Sequence, residues 1–376
     1  MSVLSTMVKK EKTERILTFD LLRGYFLCVI LFNHLQFYPS GLDLLTGRGY
    51  LYVSTAEGFF LVSGIILGIV RGRKLLHRPL KESAALLWKR ALQLYLASII
   101  LTFLFTLIGQ LFINNVGLKF GIYTDWTHWW NLLWQTMTLS YTYGWADFLR
   151  LYALFLFFAP VALWLLRMGK WYIVAAISLA VWALYPFFDD NIVLAQPLSW
   201  QVIFFAGFII GYYWQTIIAW WRSRSITVRK TIGWSFVAVF IATFITSFVL
   251  VFGYELGGTT GAWLLDQHHN IEQYFNKDRL PIERLLLGTV WFWGLFYLVR
   301  YFEPWIIKRF GWLLLVFGAN SLYVYTISAF VIFFIHLFVA PPGYDSLLSN
   351  LIASLVALGI VMLAVRTKFL MKIIPR

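Results

Sequence analysis

Residues 15–37 read RILTFDLLRGYFLCVILFNHLQF, an apolar run that is long enough to cross a bilayer as one helix. The run nevertheless carries the polar residues Asp20, Arg23 and His34. At about 100° per residue, the step from Arg23 to His34 brings the chain back to nearly the same helix face, with Asp20 one turn before Arg23. Lipid cannot satisfy a polar stripe, so we expect it to face protein or a water-filled cavity, and we predict the functional site there.

The composition is that of a membrane protein. The chain of 376 residues is 60% hydrophobic and 13% charged, with a mean hydropathy of +0.74, whereas soluble domains contain about 25% charged residues. This length suits one large helical bundle, so we predict a single all-α membrane domain over residues 1–376. Cys28 is the only cysteine, which excludes a disulfide framework. The first apolar run is too long for a signal peptide, so we expect it to be retained as a span.

The net charge of +14 indicates membrane topology and not a nucleic-acid partner, because of where the charges fall. Basic residues cluster between alternate apolar runs and the other loops are mainly acidic, which is the positive-inside pattern. Of the 31 lysines and arginines, 25 then lie on the cytoplasmic side. The pattern places both termini, residues 1–15 and 366–376, in the cytoplasm. It predicts about ten transmembrane helices in one bundle, over residues 16–37, 52–70, 91–112, 147–166, 171–187, 199–219, 231–253, 283–302, 311–336 and 346–365.

Two outer segments are long enough to contribute to a site. Residues 113–146 are rich in tryptophan and tyrosine, which favours an interfacial helix over a stacking floor for sugar rings. Residues 254–282 contain several acidic residues and the pair His268-His269. Because no metal-ligand spacing recurs there, we predict a solvated loop and no metal site.

The polar residues of the first span have competing interpretations. Arg23 is either a snorkelling side chain at the cytoplasmic edge with Asp20 as its counter-ion, or part of a site that receives an anionic donor. For His34 we favour a general base that takes a proton from a hydroxyl, because an imidazole in hydrocarbon needs a partner. Hydrogen bonding at the outer membrane edge is the alternative for His34.

The outer end of the second span carries Glu57. Antiparallel neighbouring spans bring Glu57 and His34 to a similar depth, so we predict that this carboxylate orients the imidazole and stabilises its protonated form. Gly64 and Gly68, four residues apart in the same span, are predicted to pack against another helix.

Further candidates lie along the rest of the chain. Among the basic residues from Arg71 to Arg90, we single out Arg90 as a contact for the phosphates of a coenzyme A thioester. Asp147 and Arg150 either pair with each other or line the outer mouth of the cavity. Trp200 and Gln201 either read a glycan by stacking and hydrogen bonding or anchor the interface.

The motifs also resemble a known family. Asp20-x-x-Arg23-Gly24, followed by His34, resembles the first-helix signature of the membrane acyltransferase family 3 superfamily, and within it the OpgC family is the closer match. Six further motifs follow in the family's order: Ala56 to Gly64, Lys89-Arg90-Ala91 with Tyr95, Asp147 to Tyr152 with Pro160, Ser199-Trp200-Gln201 with Phe205 and Gly207, Lys277 to Leu280 with Arg284, and Asn320 to Tyr323.

The resemblance implies a function as well as a fold. The OpgC family is associated with succinylation of osmoregulated periplasmic glucans, so it implies cytoplasmic acyl-CoA as a co-substrate, no bound cofactor, and an acceptor hydroxyl on an extracytoplasmic carbohydrate. By position it implies Arg23 and His34 as an essential pair and Arg90 as a donor-side residue. Residues 113–146 match no part of the family's pattern.

We therefore expect a multi-pass O-acyltransferase of the inner or plasma membrane that moves a succinyl or acetyl group, directly or through an acyl-enzyme. The alternative is a proton-coupled transporter or flippase of a sugar or lipid-linked sugar, because intramembrane charges also serve transport. The sequence has no evident pair of glycine- or proline-broken spans in its two halves, which disfavours a transporter. Charges along a membrane helix cost stability, which disfavours a purely structural role.

Overall fold

The computed structural model describes residues 16–73, 75–113, 126–188, 192–371 and 374. Within these residues the chain forms fifteen α-helices and no strand. A π-helix, Gly68–Arg73, directly follows the third of them. The α-helices are α1 (Leu17–Leu35), α2 (Asp43–Thr46), α3 (Thr55–Leu67), α4 (Leu80–Leu111), α5 (Trp129–Met137), α6 (Asp147–Arg167), α7 (Trp171–Ala183), α8 (Ile192–Tyr212), α9 (Trp214–Arg222), α10 (Ile226–Phe252), α11 (Gly258–Glu272), α12 (Ile282–Tyr301), α13 (Glu303–Ala319), α14 (Ser321–His336) and α15 (Leu347–Thr367).

The helices agree with the predicted class of an all-α membrane protein. Among the described residues, 7 helices are long and apolar enough to cross a membrane, and two bent helix pairs raise the number to 9. Helix α1 is not one of these, because Asp20, Arg23, Asn33 and His34 lower its hydropathy. The count of ten spans and the cytoplasmic location of both termini stay predictions.

Helix α1 lies at the centre of the bundle, where it contacts α3, α12, α13, α14 and α15. Its apolar side chains are buried around most of its circumference, as expected for a helix with other helices on all sides. Two glycines allow α1 to approach α13 closely. A Cβ on Gly24 of α1 would overlap the Leu314 carbonyl, and a Cβ on Gly318 of α13 would overlap the Asp20 carbonyl. The backbones of α1 and α13 therefore touch, and the polar stripe of α1 faces protein.

The predicted packing role of Gly64 and Gly68 is confirmed. A Cβ on either residue would overlap backbone carbonyls of α8, those of Phe204 and Phe208. The partner helix supplies glycines at the same spacing, because Gly207 and Gly211 face α3 backbone in return. This close helix pair resembles the small-residue interfaces of membrane bundles and fixes α3 beside α8.

Substitution tests this contact. We expect Gly211→Ala to lower the free energy of unfolding by about 1–3 kcal/mol, because its methyl group would overlap the Ile65 backbone, which cannot move like a side chain. Gly359→Ala is the control, since no atom lies within 4 Å of a Cβ there. Thermal unfolding in detergent should separate the two variants, and equal midpoints would contradict the close packing of α3 on α8.

Two predicted spans are broken. The span predicted over 199–219 bends by 65° between α8 and α9, and the span predicted over 311–336 bends by 93° between α13 and α14. At the second break the Asn320 side chain donates a hydrogen bond to the Val316 carbonyl (2.9 Å), which competes with the helical backbone pattern. Both breaks lie in the C-terminal half of the chain, so they are not the pair of broken spans in two halves that is typical of a transporter.

The outer segments also differ in part from the prediction. Residues 254–282 are not simply a solvated loop, because they contain the 15-residue helix α11. In the aromatic segment, a helix is confirmed over α5, where Trp134 is 70% exposed, and residues 114–125 lie outside the described residues.

Candidate active site

At one end of α1, Arg23 is held inside the bundle. Its guanidinium donates a hydrogen bond to Ser321 Oγ and lies 5.7 Å from the centre of the Phe59 ring. The bend after α13 makes Ser321 the first residue of α14, so the broken helix supplies this contact. Arg23 therefore does not snorkel outward. Asp20, three residues earlier, is only 6% exposed.

Two further arginines converge on this end. Arg90 of α4 interacts electrostatically with both Arg23 and Arg71, and Arg71 lies in the π-helix that follows α3. In the described part of the chain, neither Arg71 nor Arg90 forms an ion pair with a carboxylate. We call Arg23, Arg71 and Arg90 the arginine cluster. Three guanidinium groups that repel one another favour an anion between them.

At the other end of α1, His34 lies inside the bundle and keeps some accessible surface. Lys277 and His336 both interact electrostatically with it. His336, the last residue of α14, contacts α1 through a hydrogen bond between its Nε2 and the Leu35 carbonyl (3.1 Å). Lys277 belongs to the segment between α11 and α12, so the outer part of the chain reaches the predicted base.

Asp147, at the start of α6, joins this group. Its carboxylate accepts hydrogen bonds from the Phe148 N–H (2.6 Å) and from the Tyr325 hydroxyl. It interacts electrostatically with Arg150 and also with Lys277. Lys277 thus lies near both Asp147 and His34, and we call these three residues the histidine cluster.

The other predicted acceptor-side residues are structural. Arg150 is buried and donates to the Leu139 carbonyl (3.2 Å) and to Gln196 Oε1 (2.8 Å), which ties α6 to α8. Trp200 is 2% exposed and packs edge-on against Phe60, with ring centres 5.5 Å apart. A tryptophan so buried neither anchors the interface nor offers a face to a sugar, which corrects both of its predicted roles.

Gln201 is likewise committed to packing. Its Oε1 accepts from Ser178 Oγ (2.7 Å), and its Nε2 donates to the carbonyls of Ser178 (2.7 Å) and Leu198 (3.1 Å). These bonds join α7 to α8. They occupy most of the donor and acceptor sites of the side-chain amide, so few sites are left for a ligand. Its predicted glycan contact is therefore corrected as well.

Glu57 has a different partner from the one predicted. One carboxylate oxygen accepts from Arg284 Nε (2.6 Å), and the other accepts from the Ser54 N–H (2.9 Å) and the Ser54 hydroxyl, which forms the capping box of α3. The side chains of Glu57 and Arg284 are only 6% and 3% exposed. Within the described residues, the predicted Glu57–His34 contact is replaced by this buried ion pair.

These arrangements contain no obvious metal centre. Among the described residues, no group of three or more His, Cys, Asp or Glu side chains is placed to hold a metal ion.

Comparison with known protein families identifies the family of this chain. The family described as OpgC protein matches residues 15–373, a range that contains both the arginine and the histidine clusters. No curated protein and no solved structure matches the chain.

Proposed function

Because this chain belongs to the OpgC family, we propose that it is a membrane-embedded O-acyltransferase. It moves a succinyl or acetyl group from cytoplasmic acyl-CoA to a hydroxyl of an extracytoplasmic glycan, in the inner or plasma membrane. The wider grouping with the membrane acyltransferase family 3 superfamily is part of the same proposal.

One observation carries the proposal: α1 joins the arginine cluster to the histidine cluster. Arg23 and His34 lie about 16 Å apart along the helix axis, from the rise per residue. The extended phosphopantetheine arm of coenzyme A is long enough to bridge a separation of this order. A single substrate can therefore place phosphates at one cluster and its thioester at the other.

The arginine cluster is suited to the donor. Planar guanidinium groups bind phosphate oxygens in bidentate geometry, and partial burial strengthens each charge-assisted hydrogen bond. The positive-inside pattern puts this end of α1 on the cytoplasmic side, where acyl-CoA is present.

The histidine cluster is suited to the acceptor. His34 takes the proton of the sugar hydroxyl as the oxygen bonds to the thioester carbonyl carbon. The carbon–sulfur bond then breaks, and the coenzyme A thiolate takes up the proton from the imidazolium. Cys28, the other nucleophile of α1, is buried in the core, which favours direct transfer over an acyl-enzyme.

Ligand binding tests the donor side. We expect Arg90→Gln to raise the Kd for succinyl-CoA or acetyl-CoA about tenfold, because one charge-assisted hydrogen bond to phosphate is lost. The measurement is thermal unfolding of the purified protein with increasing thioester, since a ligand at about 100 times its Kd adds roughly 2.7 kcal/mol of stability. Arg222→Gln, an exposed cation at the end of α9, is the control and should bind as the unmodified protein does. Equal shifts in both variants would remove Arg90 from the donor site.

A further inference from the structure

The segment from Phe275 to Leu280, which carries Lys277, is held in place by side chains of three helices. The bonds run from Trp182 Nε1 of α7 to the Leu280 carbonyl (3.0 Å), from Ser199 Oγ of α8 to the Asp278 carbonyl (3.0 Å), and from Arg284 Nη1 of α12 to the Phe275 carbonyl (2.5 Å). Because Arg284 also pairs with Glu57, α3 supports the segment indirectly.

The segment is also fixed from within. Asn276 Oδ1 accepts hydrogen bonds from the N–H groups of Asp278 (2.9 Å) and Arg279 (3.0 Å). Leu280 has φ of 47°, which leucine rarely adopts, and its side chain is fully buried. A conformation of this kind persists only where the surroundings determine it, and here burial and the Trp182 bond do so. Several hydrogen bonds and the buried Leu280 side chain therefore hold the backbone that carries Lys277.

Lys277 itself forms no close ion pair. Among the described residues, no carboxylate lies within 4.0 Å of its ammonium and no hydrogen bond involves its side chain. By contrast Arg48, another cation of the outer segments, pairs with Asp43 (2.9 Å) and Glu255 (3.1 Å). The charge of Lys277 nevertheless acts on His34 and on Asp147. A braced segment thus brings the Lys277 cation near the predicted base.

We propose that the Lys277 ammonium binds an anionic group, a carboxylate or a phosphate, on the substrate that reaches His34. This inference rests on the function proposed above. Like charges repel, so an unoccupied Lys277 opposes the imidazolium that forms when His34 takes a proton. An anion bound to Lys277 removes that opposition, so the base acts most readily when the correct substrate is present.

The anion has two possible sources. It is either the free carboxylate of a dicarboxylic acyl group on the donor or an anionic substituent on the acceptor glycan. The experiment measures kcat/KM for four combinations, succinyl-CoA or propionyl-CoA with a neutral or a phosphate-substituted glucan. The unmodified protein is compared with Lys277→Met and with Lys277→Arg.

We expect Lys277→Met to lower kcat/KM about tenfold for the combinations that contain the recognised anion. It should not lower kcat/KM for the fully neutral combination, because there the substitution only removes a charge that repels the imidazolium. Lys277→Arg should retain the preference. A loss of kcat/KM confined to the combinations with succinyl-CoA assigns the anion to the donor. A loss confined to the combinations with the phosphate-substituted glucan assigns it to the acceptor.

Two results would overturn the inference: an equal loss in all four combinations, which indicates a structural role, or no loss in any. Neither result contradicts the proposed acyltransferase function. That proposal fails instead if the unmodified protein transfers no acyl group in any combination.

Discussion

Substitution of His34 by alanine should lower the rate of acyl transfer by about 10²–10⁴-fold, the usual contribution of a general base. The protein should still fold, because the His34 side chain is partly accessible and α1 is held by the apolar side chains around it and by the close contact at Gly24. The measurement is the initial rate with saturating acyl-CoA and glucan, together with the midpoint of thermal unfolding.

The matched control for this change is His269→Ala. His269 is an exposed histidine on α11, so the same truncation occurs outside the histidine cluster. We expect the control to keep the unmodified rate. A His34→Ala variant that folds and transfers acyl groups at a near-normal rate would exclude His34 as the base.

The second large effect is expected from removal of the Glu57 charge, which should destabilise the folded protein. Glu57→Gln should lower the free energy of unfolding by about 3–5 kcal/mol, because it leaves the Arg284 guanidinium buried without a counter-charge. Glu82→Gln is the control, since Glu82 forms an exposed ion pair with Arg78 (3.7 Å) and such pairs contribute about 0–1 kcal/mol. Thermal unfolding in detergent measures both changes.

A double substitution distinguishes the effect of an unpaired buried charge from the effect of altered packing. Glu57→Leu combined with Arg284→Met removes both charges, and we expect it to be more stable than Glu57→Gln because neither charge is left unpaired. It should nevertheless reduce acyl transfer, since the Arg284 bond to the Phe275 carbonyl is also lost. A double variant no more stable than Glu57→Gln would contradict the assignment of a buried, mutually dependent pair.

The sequence predicts the central features of the site because they depend on local geometry. The helical spacing in α1 determines which side chains share a face, and the burial of that face follows from the cost of polar groups in lipid. Gly64 and Gly68 likewise predict close packing from spacing alone. Arg90 is predicted both from the run of basic residues before the third span and from the family resemblance. Its interaction with Arg23 joins two helices and is contained in no single-helix pattern.

The partner of Glu57 was not predictable in the same way. Arg284 lies 227 residues from Glu57, and the prediction assumed that the neighbouring span would supply the contact. Depth in the membrane restricts the candidates but does not choose among them, because the choice depends on how α12 packs against α3. The same limit applies to Trp200 and Gln201, whose polarity suggested a ligand and whose partners are in fact other helices.

Two sequence features that a search for apolar runs does not use indicate parts of the structure: polar residues inside an apolar run, and a cation on the side where few are expected. Asn320 and Ser321 are polar residues in the middle of an apolar run, where their side chains compete with the helical backbone. Lys277 is a cation on the side that the positive-inside pattern leaves poor in cations. In the fold its charge acts on His34 and on Asp147.

Release of coenzyme A from succinyl-CoA or acetyl-CoA, measured with and without a glucan, most directly separates acyl transfer from sugar transport. The purified full chain in nanodiscs exposes both ends of α1 to substrates, so no transport step is required. We predict that release depends on the glucan, that it is matched by one acyl ester on the glucan per thiol, and that both are lost in His34→Ala. Glucan binding without any consumption of thioester, or release that is unchanged in His34→Ala, would contradict the proposed acyltransferase.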